Sequence, residues 1–262
     1  MLAELIGNIA RKKGAGPILA IEAAKTKLAR EIGQASGLFY VPRVLDLDQE
    51  TGVLDFERLD GLVTLHKLAV DKDVRSLELF EKAGRALAVV HEQLVLPDAM
   101  KYELPSEWMG SSDENVFIHG DFACVNLCLH EPSRRLVILD WSAAPLIGRT
   151  PTFGSRYFDI LWFASCIFRG GPNRKMWCWN AEEMTEAFLR GYEKTAPEKN
   201  LDRFRTYLPK ICRLQRRMVL HLARRRTTFR ATGYLVSQTF MYIRFHKFLQ
   251  RHEIGWEDDH KG

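Results

Sequence analysis

Short apolar runs separated by turn residues fill the first sixty positions of this chain, and helical periodicity takes over after them. Gly14-Ala15-Gly16-Pro17 stands between the apolar stretches 6–10 and 18–21, the pattern of a hairpin turned by Gly and Pro. Ala24, Leu28 and Ile32 recur at four-residue steps and predict a helix over about 22–34, with Gly37 fitting its end. A second hairpin is predicted from 41–45 and 53–56, which flank the turn at 48–52. Over 74–94, Leu79, Phe80, Ala83, Leu87, Val90 and Leu94 keep helical spacing. Leu208, Ile211, Leu214, Met218 and Leu222 do so again and predict a late helix with one apolar stripe. The reading is an α+β chain of two lobes, 1–60 small and mixed, 61–262 larger and mostly helical, joined near Asp60-Gly61.

Between the helical stretches lies a different pattern. Val116-Phe117-Ile118 leads into His119-Gly120-Asp121, Asn126 follows Asp121 by five positions, and the apolar run 136–139 ends in Asp140-Trp141. Leu127-Cys128-Leu129 and the run 136–139 flank the turn residues 131–135, so Asp121, Asn126 and Asp140 are strung along a loop and a hairpin. Phosphoryl transfer needs a carboxylate to orient the attacking hydroxyl and oxygen ligands to hold magnesium on the nucleotide. Asp121 can do the first, and Asn126 with Asp140 the second. A lone His-Gly-Asp is more often a turn and a lone Asp-Trp a strand end; it is their joint order that points to chemistry.

These residues resemble the aminoglycoside phosphotransferase and choline kinase family, small-molecule relatives of the protein kinases, with its His-Gly-Asp-x-x-x-x-Asn, apolar strand and Asp-Trp. Weaker likenesses occur in the same order. Residues 53–61 resemble the hinge strand, 87–91 the end of the helix before the catalytic loop, Tyr157-Phe158-Asp159-Ile160 the segment anchoring the loop beyond the metal site, and 188–192 the late helix. The resemblance implies a protein kinase-like two-lobed fold that moves the γ-phosphoryl of ATP, with Mg2+, to a hydroxyl of a small molecule or glycan. It implies Asp121 as base, Asn126 and Asp140 as metal ligands, and the backbone at Glu57, Arg58 and Leu59 as the receiver of adenine. His119 would prop the loop, and Asp159 would support it from behind.

The first lobe departs from that pattern. With 18–21 read as the strand that should bear the phosphate-binding Lys, Ala20 stands in its place. The cation is then sought among Lys12, Lys13, Lys25 and Lys27, with Lys25 first and Glu31 as its helical partner. The missing Lys and the short lobe give the rival reading, a catalytically silent regulator.

With 262 residues, 46% of them hydrophobic, the chain is long enough for two cores. No apolar run approaches the roughly 20 residues a membrane span needs, and the N-terminus has no leader pattern, so the cytoplasm is the expected compartment, with peripheral membrane binding as an addition. The five cysteines, Cys124, Cys128, Cys166, Cys178 and Cys212, are scattered without a Cys-x-x-Cys pair and read as free thiols. His119, Cys124, Cys128 and His130 are zinc-ligand types, but their spacing matches no common structural site. Lys and Arg exceed Asp and Glu by 38 to 33, and the surplus collects between Arg203 and Arg230. There Arg213, Arg216, Arg217 and Arg224 turn away from the apolar stripe, either as a solvated face or as a site for an acidic ligand or anionic membrane. No nucleic-acid-binding module accompanies them. Glu103, Glu107, Asp113 and Glu114 read as a solvated connector or an acceptor wall, and Trp162, Phe163, Phe168, Trp177 and Trp179 as core or a stacking wall.

Overall fold

The computed structural model describes residues 4–143, 150–171, 179–196, 204–224 and 226–259, so Trp177, Cys178 and Arg203 lie outside the described residues. The chain opens with a tight hairpin, β1 (Glu4–Ile6) and β2 (Ile9–Lys13), turned at Gly7 with φ of 54°. This corrects the first expected hairpin. The run 18–21 is helical, within α1 (Gly16–Ser36). Pro17 decides the matter: a fixed φ and a missing N–H suit the first turn of a helix, where that N–H would have no intrahelical partner. The helix ends at Gly37, whose φ of 67° lets its N–H return to the Gly33 carbonyl.

The second hairpin forms as expected from β3 (Val44–Asp48) and β4 (Val53–Glu57), and β4 pairs with β2 to give a four-stranded sheet of order β1-β2-β4-β3. Leu19 and Ala23 of α1 pack against Leu54, with Val44, Leu47 and Phe56 around them. This small core joins sheet to helix. The far side of α1 contributes Ala29 and Ile32 to the main core of the molecule.

That main core is built mostly by helices: α2 (Leu65–Val70), α3 (Ser76–Gln93), α4 (Tyr157–Arg169), α5 (Ala181–Thr195), α6 (Phe204–Arg224) and α7 (Thr228–Asp259). Into it are set β5 (Leu62–Thr64), β7 (Leu127–His130) and β8 (Arg135–Ile138), a sheet of order β5-β7-β8, and the pair β6 (Asn115–Phe117) with β9 (Phe153–Ser155). The chain leaving α1 is sewn to this part: the Tyr40 N–H donates to the Leu136 carbonyl at 2.8 Å, and the Ile138 N–H to the Tyr40 carbonyl at 3.0 Å. No described helix is long and apolar enough to cross a membrane.

Helices α3 and α5 approach through glycine. A Cβ on Gly84 would stand 1.9 Å from the Phe188 carbonyl oxygen, and one on Gly191 would stand 2.0 Å from that of Glu81. Both obstacles are backbone, which cannot swing aside as a side chain can. Gly84→Ala is therefore expected to lower stability by about 1–3 kcal/mol, because overpacking at a backbone contact outweighs the gain in helix propensity. Urea unfolding of the variant beside the wild type checks this.

Candidate active site

The loop after β6 is held from below by one carboxylate. Asp159, fully buried in the first turn of α4, accepts the His119 N–H at 2.6 Å, the Gly120 N–H at 2.9 Å and His91 Nε2 at 3.1 Å. Burial alone would raise its pKa, but the hydrogen bonds from His91 and the Gly120 amide keep it below the usual range. Burial also lowers the pKa of His91, so its neutral ring donates from Nε2 and accepts the Tyr192 hydroxyl at Nδ1, 2.9 Å away. Gly120 takes φ of 90°, a conformation that side chains disfavour, and so reverses the chain beneath Asp121.

His119 lies inside this turn. Its ring is fully buried against Trp141, with centroids 4.5 Å apart, and Nδ1 accepts the Asp121 N–H at 3.2 Å. Burial pushes its pKa down to about 4, with Lys25 adding to the shift. Such a neutral ring braces the loop.

Asp121 is fixed at both oxygens. Trp162 Nε1 donates to Oδ1 at 2.9 Å, and Asn126 Nδ2 donates to Oδ2 at 3.2 Å and to the Asp121 carbonyl at 2.9 Å. Because burial outweighs these donors, the carboxyl pKa is raised to about 6. The Asn126 amide nitrogen is thus spent on Asp121, and its carbonyl oxygen is the end suited to a cation. Asp140 follows β8 in the left-handed region, with φ of 53°, rare for a residue with a side chain and typical of functional turns.

The first lobe supplies what the sequence had hidden. Lys12 Nζ, on β2, lies 2.8 Å from Glu22 Oε1 on α1 and 2.7 Å from Asp140 Oδ1, with Ser142 Oγ at 3.1 Å. Burial would lower the Lys12 pKa, but Glu22 and Asp140 together raise it, so the ammonium stays charged. Burial would likewise raise the Asp140 pKa, yet Lys12 and the Ser142 hydroxyl hold it low. The empty place at Ala20 followed from the misplaced strand. Had Gly16-Pro17 been taken as a helix start, the strand would have ended before Gly14 and Lys12 would have fallen on it.

Lys25 and Glu31 are corrected accordingly. Lys25 is fully buried below the loop, its Nζ donating to the His119 carbonyl at 2.6 Å, and burial lowers its pKa to about 8. Glu31 is exposed on α1. Neither lines the cleft between the lobes, which holds about 510 Å³ and includes Lys12, Glu22, Asn126 and Asp140 in its walls. Glu57, Arg58 and Leu59 line the same cleft. The Glu57 carboxylate accepts the Tyr40 hydroxyl at 2.7 Å and the Arg43 N–H at 3.1 Å, which fixes the strand end.

Arg213, Arg216, Arg217 and Arg224 are exposed on α6, where Arg213 pairs with Glu107 at 3.3 Å. Glu114 is buried and accepts the Tyr207 hydroxyl at 3.1 Å, so it fastens α6. Phe163, Phe168 and Trp179 are core; Trp162 is the aromatic that reaches the site.

Three solved structures are similar to this chain in fold. A glucosamine kinase matches with a TM-score of 0.63 at 13% identity, over 94% of this chain and 75% of its own. A choline/ethanolamine kinase family protein from Mesorhizobium loti matches at 0.55 and 17% identity, over 93% and 82%. The fold is the protein kinase-like two-lobed α+β fold. An amicoumacin kinase in complex with AMP-PNP, Ca2+ and Ami has the same kinase-like fold, with a TM-score of 0.53 and 12% identity over 91% of this chain and 84% of its own. No protein-family model matches the sequence, and no curated protein matches it.

In this kinase-like frame Asp159→Asn puts an amide where three donors converge. Its stability is expected to fall by about 2–4 kcal/mol, since a buried network loses an ionic acceptor. Denaturant unfolding measures that loss.

Proposed function

We propose that this chain is an ATP-dependent phosphotransferase that moves the γ-phosphoryl group to a hydroxyl of a small molecule or glycan. Residues 1–60 act as the nucleotide lobe and 61–262 as the catalytic and acceptor lobe. The observation supporting this most directly is the convergence of Lys12, Glu22, Asn126 and Asp140 on one cleft with Asp121 beside them. The structural neighbours are named as kinases of glucosamine, of choline or ethanolamine, and of amicoumacin.

The residues fit Mg-ATP. Asp140 and the Asn126 carbonyl are hard oxygen donors, and Mg2+ is held by one or two such ligands together with phosphate oxygens and water. When bound, Mg-ATP supplies the phosphoryl group and neutralises the charge that develops as it leaves. Lys12 binds phosphate oxygens while Glu22 holds its ammonium in place. The Glu57 and Arg58 amides already donate to the Arg43 and Asn8 carbonyls, at 2.8 and 3.2 Å, so recognition of adenine falls to the Leu59 amide and the carbonyls of this segment.

Asp121 orients the acceptor hydroxyl and takes its proton. Trp162 and Asn126 hold the carboxylate in one rotamer, and a pKa of about 6 makes it a stronger base than an ordinary Asp while leaving it ionised at pH 7. His119 and Asp159 support this position through the loop without touching the reacting atoms.

Asp121→Asn and Asp140→Asn are each expected to cut turnover by about a thousandfold while leaving the circular dichroism spectrum unchanged. Wild-type-like phosphorylation by either would sink the assignment. Turnover should rise with pH through about 6, as Asp121 loses its proton. Its raised pKa also means that ionisation is harder in the folded state than in the unfolded one, so the stability present at acid pH declines as pH climbs through about 6. Asp121→Asn, which cannot ionise, should therefore melt about 2–4 °C above the wild type at pH 8 and level with it near pH 4, as read from melting curves at the two pH values.

A further inference from the structure

One cation close to the base has no acid beside it. Arg169, in the last turn of α4, is half-buried, and its guanidinium lies over the Trp162 ring, 5.6 Å from the centroid. The same indole donates its N–H to Asp121 at 2.9 Å. Trp162, Cys166 and Arg169 follow one another at helical steps, so one face of α4 runs from the base to the guanidinium. Arg side chains on a helix lean towards its N-terminus, here towards the catalytic loop.

The partners of this guanidinium are poor ones. Nη1 faces Met218 Sδ at 3.3 Å, Nη2 faces Cys166 Sγ at 3.1 Å, and Nε is buried without a hydrogen-bond partner. Burial raises the Cys166 thiol's pKa, so it remains protonated and offers no charge. Among the described residues no carboxylate lies within ion-pairing distance of Arg169. On its outer side, Arg169 lines a groove of about 640 Å³ between α6 and α7 whose other charged walls are Arg213 and Arg216. A planar, always-charged fork held between an aromatic face and two sulfurs is matched by a carboxylate or phosphate, which takes two parallel N–H bonds at once.

We propose that the acceptor is an anionic hydroxyl compound, its hydroxyl at Asp121 and its carboxylate or phosphate on Arg169, the two residues being linked by Trp162, which touches both. The proposal rests on the phosphotransferase reading and gives that site its substrate class. A polyamine acceptor is disfavoured at the same position, because its ammonium groups would meet a cation with no intervening acid.

Four sugars of one ring size separate the possibilities: glucose, glucosamine, glucuronate and glucose 6-phosphate, titrated calorimetrically into the wild type with Mg2+ and AMP-PNP. Glucuronate or glucose 6-phosphate is expected to bind at least about tenfold tighter than glucose and glucosamine, and the two anions distinguish a carboxylate from a phosphate site. Arg169→Gln should erase that difference, and the wild-type preference stands as a test by itself should the variant fail to fold. Glucose or glucosamine binding as well as the anions would overturn the proposal. So would no binding of either anion at about 10 mM, or an anion preference kept by Arg169→Gln. A wild type that gains no thermal stability from Mg-AMP-PNP alone would count instead against the phosphotransferase reading.

Discussion

A single ammonium group organises the cleft. Lys12 Nζ sits 2.8 Å from Glu22 and 2.7 Å from Asp140, so β2, α1 and the turn after β8 must all arrive at one point. Two carboxylates sharing an interior would repel, and both would resist ionisation; the Lys between them offsets part of that cost, holding the Asp140 pKa low while burial still keeps that of Glu22 raised. Each partner in turn constrains its neighbourhood. Glu22 sets the rotation of α1, and Asp140 accepts a left-handed backbone that an unpaired residue would have little reason to hold.

Much of the candidate site in the larger lobe was legible in the sequence because its constraints are local. A turn that needs Gly120, an Asn five residues after Asp121, and an apolar strand stopped by Asp140 are neighbours in sequence as well as in space. The hairpin of β7 and β8 followed from alternation around a polar turn, and α3 from uninterrupted helical spacing. The small lobe departs from expectation at one residue with a long reach. With 18–21 read as a strand, the Lys is expected at position 20 and its partner at Glu31, whereas the structure makes that run helical and pairs Lys12 with Glu22. A short apolar run does not declare its own type, and the Pro that would have arbitrated was assigned to a turn.

Other parts were beyond any local signal. That Trp162 lends its N–H to Asp121 depends on packing α4 across the loop, 41 residues away in sequence. The buried Lys25 is equally silent: an ammonium with no exposed surface, serving a backbone carbonyl 94 residues on, looks like any other helical Lys until the chain has folded. Asp159 was found by resemblance, and its three donors give the physical reason for its place.

The stitch at Tyr40 has a mechanical meaning. Its two backbone hydrogen bonds to β8, the Lys25 link to the catalytic loop, and the burial of Ala29 and Ile32 in the main core all attach α1 to the larger body. The four-stranded sheet is joined to that body by the small core around Leu54, the segment after Glu57, the contacts of the Glu57 carboxylate with Tyr40 and Arg30, and the Lys12 ion pairs. By chain order α1 belongs to the first lobe, but by its attachments it is part of the floor. The Lys12–Glu22 ion pair therefore spans the seam between the sheet and this floor, with Lys12 on the strand and Glu22 on the helix.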